Sequence, residues 1–188
     1  MMFYQEITLY PSAEIPTSFL MTKVFMPLHF TLASQKEKLG EGRIGISFPR
    51  YTEESLGNKV RIFSKEREIL ESADIPQALR FLQDYIHLTA IREVAAPRIK
   101  GYAVYRRYQP DSSRFRKAKR YAKRNGISYE KAFKLMKTKK PRRLPYVQLK
   151  SKTTQQKFSL FIEKIEAPAC EGNFNAYGLS QQATVPEF

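Results

Sequence analysis

The chain has 188 residues, and its 33 Lys and Arg outnumber 18 Asp and Glu for a formal net charge of +15. With 42% hydrophobic and 27% charged residues it is a folded globular chain of one or two small domains rather than a disordered one. No apolar run reaches the ~20 residues that span a bilayer, and the single cysteine, Cys170, excludes an internal disulfide and, with only two histidines, argues against a structural zinc site.

Met1 to Pro11 lacks the basic and apolar regions of a secretory signal, so a reducing, cytoplasmic setting is expected. Tyr4 to Tyr10 alternates, with Ile7 and Leu9 on one face, and reads as a strand. Pro16 suits a first helical position. Leu20, Val24, Leu28 and Leu32 recur every four residues, which predicts a helix from about Thr17 to Ala33, kinked at Pro27 where the ring displaces a backbone hydrogen bond. Arg43 to Pro49 and Lys59 to Phe63 read as the next two strands. Ile75 to His87 reads as an amphipathic helix behind the Asp74 and Pro76 start signals, and Ala90 to Val94 as a fourth strand. The order β-α-β-β-α-β is the ferredoxin-like pattern.

Ala95-Ala96-Pro97 marks a shift in composition. From Pro97 to Lys152 there are 20 Lys and Arg and two acids, Asp111 and Glu130, while the rest of the chain holds 13 bases against 16 acids. One segment therefore carries the whole excess. Self-repulsion of this size opposes compaction, and phosphates relieve it, so a nucleic acid is the first partner to consider, ahead of an anionic membrane or a merely solvated basic surface. Within it, Tyr102 to Arg107 is extended. Asp111, Ser112 and Ser113 offer N-caps for a basic helix from about Arg114 to Asn125 that ends at Gly126. Ser128 caps a further helix with Tyr129, Ala132, Phe133 and Met136 at helical spacing. Lys139 to Arg143 is a basic loop. Tyr146 to Leu149 and Phe158 to Ile162 form a hairpin around a turn at 151–157, and Asn173 to Ser180 reads as a final strand.

Arg116, Arg120, Lys123 and Arg124 share one face of the basic helix, and Phe115, Ala118 and Ala122 another that would pack inward. A guanidinium row beside a short apolar row suits backbone phosphates in a groove. A helix-turn-helix DNA reader fits less well, because there the second helix reads the groove and here the denser row is on the first. His29 is either a satisfied core histidine or a general acid or base near neutral pH; His87 reads as capping or solvent-facing. No paired carboxylates and no cluster with metal spacing accompany the basic segment, which disfavours a two-metal nuclease. RNA brings its own 2′-hydroxyl nucleophile, and a base, a hydroxyl side chain and a positive environment are enough to cleave it.

Several segments carry a resemblance. They are Leu28-His29, Arg43-Ile44-Gly45-Ile46-Ser47-Phe48-Pro49, Leu56-Gly57 with Arg61-Ile62, and Arg107 with Gln109. Leu144-Pro145-Tyr146-Val147 leading to Leu149-Lys150-Ser151, then Phe158 to Ile162, then Phe174 with Tyr177-Gly178-Leu179-Ser180 complete the set. In this order and spacing, nearly end to end, the chain resembles the type I-F CRISPR-associated endoribonucleases that process repeat RNA, the Csy-type family. The resemblance implies an α+β fold: a ferredoxin-like (RRM-like) domain over 1–96 carrying a catalytic histidine, then a basic RNA-hairpin-binding domain over 97–188 with an arginine-rich helix and a β-hairpin. It implies catalytic roles for His29, for Ser151, which holds the 2′-hydroxyl, and for Tyr177, which orients the histidine. It implies RNA contacts from Arg107 and Gln109 at base edges, from Arg120, Lys123 and Arg124 at stem phosphates, a row that Arg116 joins by its helical spacing, and from Phe158 stacked at the stem base. One family arginine in the helix row is Lys123 here, which keeps the charge and loses the bidentate fork. The implied activity is metal-independent cleavage of precursor CRISPR RNA at the 3′ base of the repeat hairpin by 2′-hydroxyl attack, with no cofactor. The implied partners are the repeat RNA hairpin, on which the protein sits as a monomer, and other subunits of a type I-F surveillance complex, with no membrane. The second reading is a catalytically silent RNA-binding subunit of the same fold; a duplex DNA binder is a third.

Overall fold

The structure is a computed structural model and describes residues 2–34, 42–109, 114–136, 142–151 and 155–188. The chain divides into two compact units, 1–108 with 144–188, and 109–143.

The first unit is built on two antiparallel sheets. In chain order it contains β1 (Phe3–Leu9), α1 (Thr17–Ser34), β2 (Gly45–Ser47), β3 (Lys59–Ser64), α2 (Arg67–Ala73) and α3 (Ile75–Ala78). A 3-10 segment over Arg80–Tyr85 leads to β4 (Ile86–Leu88) and β5 (Arg92–Glu93). The second sheet uses β6 (Gly101–Tyr108), β7 (Tyr146–Lys150), β8 (Lys157–Glu166) and β9 (Val185–Glu187). The first sheet runs β2-β3-β1-β4, with β5 also beside β1; the second runs β7-β8-β6-β9. Register is set by burial: Ile7 pairs with Val60 and Leu9 with Ile86, and all four are buried.

The leucines spaced four apart do form the buried face of α1, where Leu20, Val24, Leu28 and Leu32 join Met21 and Phe25 in the core. Pro27 lies inside the continuous helix. α1 packs on β1 and on β7, so one helix serves both sheets. Phe48, fully buried, stacks on Phe25 at 6.0 Å and meets Tyr105 of β6 at 5.6 Å. One hydrophobic core therefore runs from β1 to β9. The Tyr105 hydroxyl lies 2.9 Å from the Glu187 carboxylate and 3.1 Å from the Phe48 carbonyl. Burial, then the charge of Glu187, pushes this phenol above its ordinary pKa.

Two expected elements need correction. The helix expected over Ile75 to His87 stops after Ala78, gives way to the 3-10 segment, and yields to strand at Ile86. Asp74 adopts a left-handed conformation that ends α2, and its side chain accepts the Gln77 N–H to start α3. Phe81 and Tyr85, whose spacing would put them on the apolar face of such a helix, are 81% and 39% exposed. α2 itself was not foreseen. The strand expected over Asn173 to Ser180 is a turn, and the last strand is β9. His87 is solvent-facing as expected, but on β4.

The Glu6 carboxylate bonds Lys59 and accepts the Arg61 Nε–H at 2.7 Å. Burial works to raise its pKa, yet Lys59 and Arg61 outweigh burial and hold it below its ordinary value. A depressed folded pKa adds stability that is complete above the unfolded pKa and is lost as pH falls through the folded one. Glu6→Gln should therefore cost about 1–3 kcal/mol at neutral pH and flatten the acid limb of a thermal-midpoint profile. An equally steep acid limb in the variant would assign that limb to other groups.

The second unit contains α4 (Arg114–Asn125) and α5 (Tyr129–Leu135). Gly126 stands at φ +62°, where a Cβ is strained, and the Ile127 N–H closes on the Ala122 carbonyl at 3.2 Å, which ends α4 as expected. Ser128 caps α5 through the Lys131 N–H. Ala118 and Ala132 are fully buried. Phe115 touches the Phe133 ring at 5.3 Å but stays 65% exposed, rather than packing inward as its helix face suggested. The N-caps expected at Asp111, Ser112 and Ser113, and the loop residues Lys139, Lys140 and Pro141, lie outside the described residues. Among the described residues no helix is long and apolar enough to cross a membrane.

Candidate active site

His29 sits near the C-terminal end of α1, half-buried, one residue after the fully buried Leu28. The core contact of Leu28 and the preceding turns fix which way the imidazole leaves the helix. Its Nδ1 is 2.9 Å from the carbonyl oxygen of Ala176, 147 residues further along the chain. Its face stacks on Tyr177, ring centroids 4.2 Å apart and planes 20° from parallel. A carbonyl only accepts, so Nδ1 is the donor, and a neutral ring then carries its lone pair on Nε2.

Arg107, on β6, brings its guanidinium carbon 5.8 Å from the centroid of Tyr177 and 5.8 Å from that of Phe158 on β8. These are edge distances for cation–π attraction and hold the arginine beside both rings. The sheet puts them there: Arg107 pairs with Ile162, four residues along β8 from Phe158. His29, Tyr177, Arg107 and Phe158 are thus brought together from four separate segments.

Ser151 follows β7 directly. Its N–H donates to the Gln156 carbonyl and its carbonyl accepts the Gln155 N–H, both at 2.9 Å. It therefore caps the end of the hairpin at which Phe158 pairs with Leu149 and Lys150 with Lys157. Gln155 takes a positive φ of 55° there; Lys152, Thr153 and Thr154, expected in the same turn, lie outside the described residues.

Gln109, Arg116, Arg120, Lys123 and Arg124 belong to the second unit. All five are exposed. The Arg120 Nε–H reaches the Arg116 carbonyl at 3.4 Å, as i, i+4 neighbours do on one face of a helix. α4 holds seven Lys and Arg and no acid over its 12 residues, a positive surface suited to phosphate oxygens.

The group that sequence reasoning missed is the Ala176 carbonyl. It is backbone, so no side-chain pattern announces it. The only sequence signal is the spacing of Asn175 and Gly178, which favours a turn. Among the described residues no three His, Cys, Asp or Glu side chains gather as metal ligands.

Over residues 4–188 the chain matches the model of a family described as CRISPR-associated protein (Cas_Csy4). It is 32% identical over 190 residues to the CRISPR-associated endonuclease Cas6/Csy4 of Escherichia coli (strain UTI89 / UPEC), covering 98% of each chain. It is 35% identical over 191 residues to the protein of the same name from Pseudomonas aeruginosa (strain UCBPP-PA14), again covering 98% of each. With its length matched from end to end and its imidazole, tyrosine and arginine gathered in one place, the chain belongs to the CRISPR-associated Cas_Csy4 family.

Proposed function

We propose that the chain binds the hairpin of a CRISPR repeat and cuts the precursor RNA at the 3′ base of the stem, using the RNA's own 2′-hydroxyl and no metal ion. Family membership makes it a CRISPR-associated endonuclease of CRISPR RNA processing. The cut site, the nucleophile and the roles of single residues are our reading. One observation carries it: an imidazole anchored at Nδ1 by a backbone carbonyl and stacked on Tyr177, with Arg107 beside the same tyrosine.

In this reading His29 Nε2 takes the proton of the 2′-hydroxyl. The freed oxygen attacks the adjacent phosphorus, the bond to the 5′-oxygen breaks, and that oxygen leaves with a proton taken from solvent water, which the proton held on Nε2 then replaces. The products are a 2′,3′-cyclic phosphate and a 5′-hydroxyl. Ser151 holds the 2′-hydroxyl, and Tyr177 keeps the imidazole in plane. Arg107 and Gln109 read base edges, since Arg suits guanine and Gln suits adenine. Phe158 stacks at the foot of the stem. Arg116, Arg120, Lys123 and Arg124 grip phosphates, which positions the stem without reading it.

The sheet order β2-β3-β1-β4 supports the ferredoxin-like reading of residues 1–96, with 97–188 as the RNA-gripping part. One copy stays on each product in the cytoplasm and joins other subunits of a type I-F surveillance complex.

The test is a repeat hairpin with one 2′-deoxy nucleotide just upstream of the scissile phosphate. It should bind normally and resist cutting, while EDTA leaves cutting of the all-ribose RNA unchanged. Cutting of the deoxy RNA at the normal rate overturns the internal nucleophile. Loss of cutting in EDTA overturns the metal-free step. A silent binding subunit would cut neither RNA.

A further inference from the structure

The turn that replaces the expected last strand is held by backbone bonds and by one side chain. Asn175 Oδ1 accepts the Tyr177 N–H at 2.8 Å and the Leu179 N–H at 3.3 Å. The Asn175 N–H donates to the Leu179 carbonyl at 2.7 Å, and the Asn175 carbonyl accepts the Gly178 N–H at 2.8 Å. Both partners of the side chain are donors, so the atom facing them is the amide oxygen rather than the amide nitrogen. Asn makes such turns because its short side chain reaches backbone N–H groups two residues on.

The far side of the turn is fixed to both sheets. The Ile46 N–H donates to the Gly178 carbonyl at 2.8 Å, and the Ser180 N–H donates to the Tyr105 carbonyl at 2.9 Å. Gly178 stands at φ +70°, and a Cβ there would lie 2.6 Å from Ile46 Cγ1. What remains for Asn175 is the outer side, where Ala176 presents its carbonyl to His29 Nδ1 and Tyr177 presents its ring to the imidazole face. Asn175 is itself exposed, so its loss opens no cavity, and an ordinary surface substitution costs little stability.

We propose that Asn175 is a positioning residue for RNA cleavage: its side-chain oxygen shapes the turn that aims the Ala176 carbonyl at His29 Nδ1 and so keeps the lone pair of the neutral imidazole on Nε2. This rests on the reading of His29 as the base. The hydrogen bond at one ring nitrogen decides the tautomer at the other. Here that bond is made by backbone, and Asn175 is the adjacent side chain that holds this backbone in shape.

The experiment uses the full chain and a repeat hairpin RNA under single-turnover conditions at saturating protein. Asn175→Ala should slow cutting by about 10–100-fold, the scale of a small misplacement of a reacting group, with hairpin affinity little changed. Asn175→Asp keeps an acceptor oxygen in the same place and should restore most of the rate. In the wild-type chain, nitrogen NMR of the neutral His29 ring should show a protonated Nδ1 and a bare Nε2. In Asn175→Ala the two tautomers should mix. Three results overturn the proposal: an alanine variant that cuts normally while His29→Ala does not, an aspartate variant as slow as the alanine variant, or a wild-type ring protonated on Nε2. The last needs no variant and stands even if Asn175→Ala fails to fold. Normal cutting by His29→Ala would instead overturn the assignment of the base.

Discussion

On the proposed mechanism, His29→Ala should slow cleavage of the repeat hairpin by at least about 10²-fold, the lower range for loss of a general base, and should leave hairpin affinity within about tenfold, or about 1.4 kcal/mol. The split follows from geometry. The imidazole is anchored through Nδ1 and stacked on Tyr177. In the proposed role it contributes a proton acceptor rather than area for the stem, so removing it should delete a step and keep a surface. Ser151→Ala should slow cutting as well, if Ser151 orients the 2′-hydroxyl as proposed. The two effects should not add, since a base without an oriented hydroxyl and an oriented hydroxyl without a base fail at the same step. Single-turnover rates with each variant and the double variant check this. Additive losses would mean that the two residues act on different steps.

Hairpin affinity should fall about 10³–10⁵-fold between 50 and 200 mM salt if 6–10 phosphates are neutralised. The proposed source is α4, with seven bases and no acid, together with the rest of the basic segment. Each neutralised phosphate releases counterions, and salt opposes their release. Arg120→Ala should weaken binding evenly across hairpin sequences and reduce the salt slope by about one. Filter binding over a salt series reads both. A nearly flat response would show that bases and shape, rather than phosphates, supply the affinity.

Long, strongly periodic elements were legible in the sequence. The leucines of α1 and the alternation of β1 each report one buried face, and Gly126 and Ser128 mark the ends of α4 and α5 through local chemistry. The segment from Arg67 to Leu88 was not legible, because its turns are short and its apolar residues serve helix and strand in succession. Phe81 looks like core and is exposed, while Ile86 continues a helical pattern and pairs with Leu9. The run from Asn173 to Ser180 has strand-like composition, yet the positive φ of Gly178 and the side-chain bonds of Asn175 bend it. Of the site, chemistry-bearing side chains could be named from their types and from resemblance. The carbonyl of Ala176 could not, since any residue there supplies the same oxygen.

The bond between His29 and Ala176 joins points 147 residues apart. At about 5–20 residues per second, a ribosome needs about 7–30 s to pass from one to the other. In the later part of that interval the nascent chain already carries the basic helix, Arg114–Asn125, yet its imidazole has no carbonyl to lean on. Gly101 likewise waits for Glu187 before the second sheet has its edge strand. On the proposed reading, the RNA-gripping helix is made before the site is complete, and cutting waits until the turn at Ala176 has closed on α1.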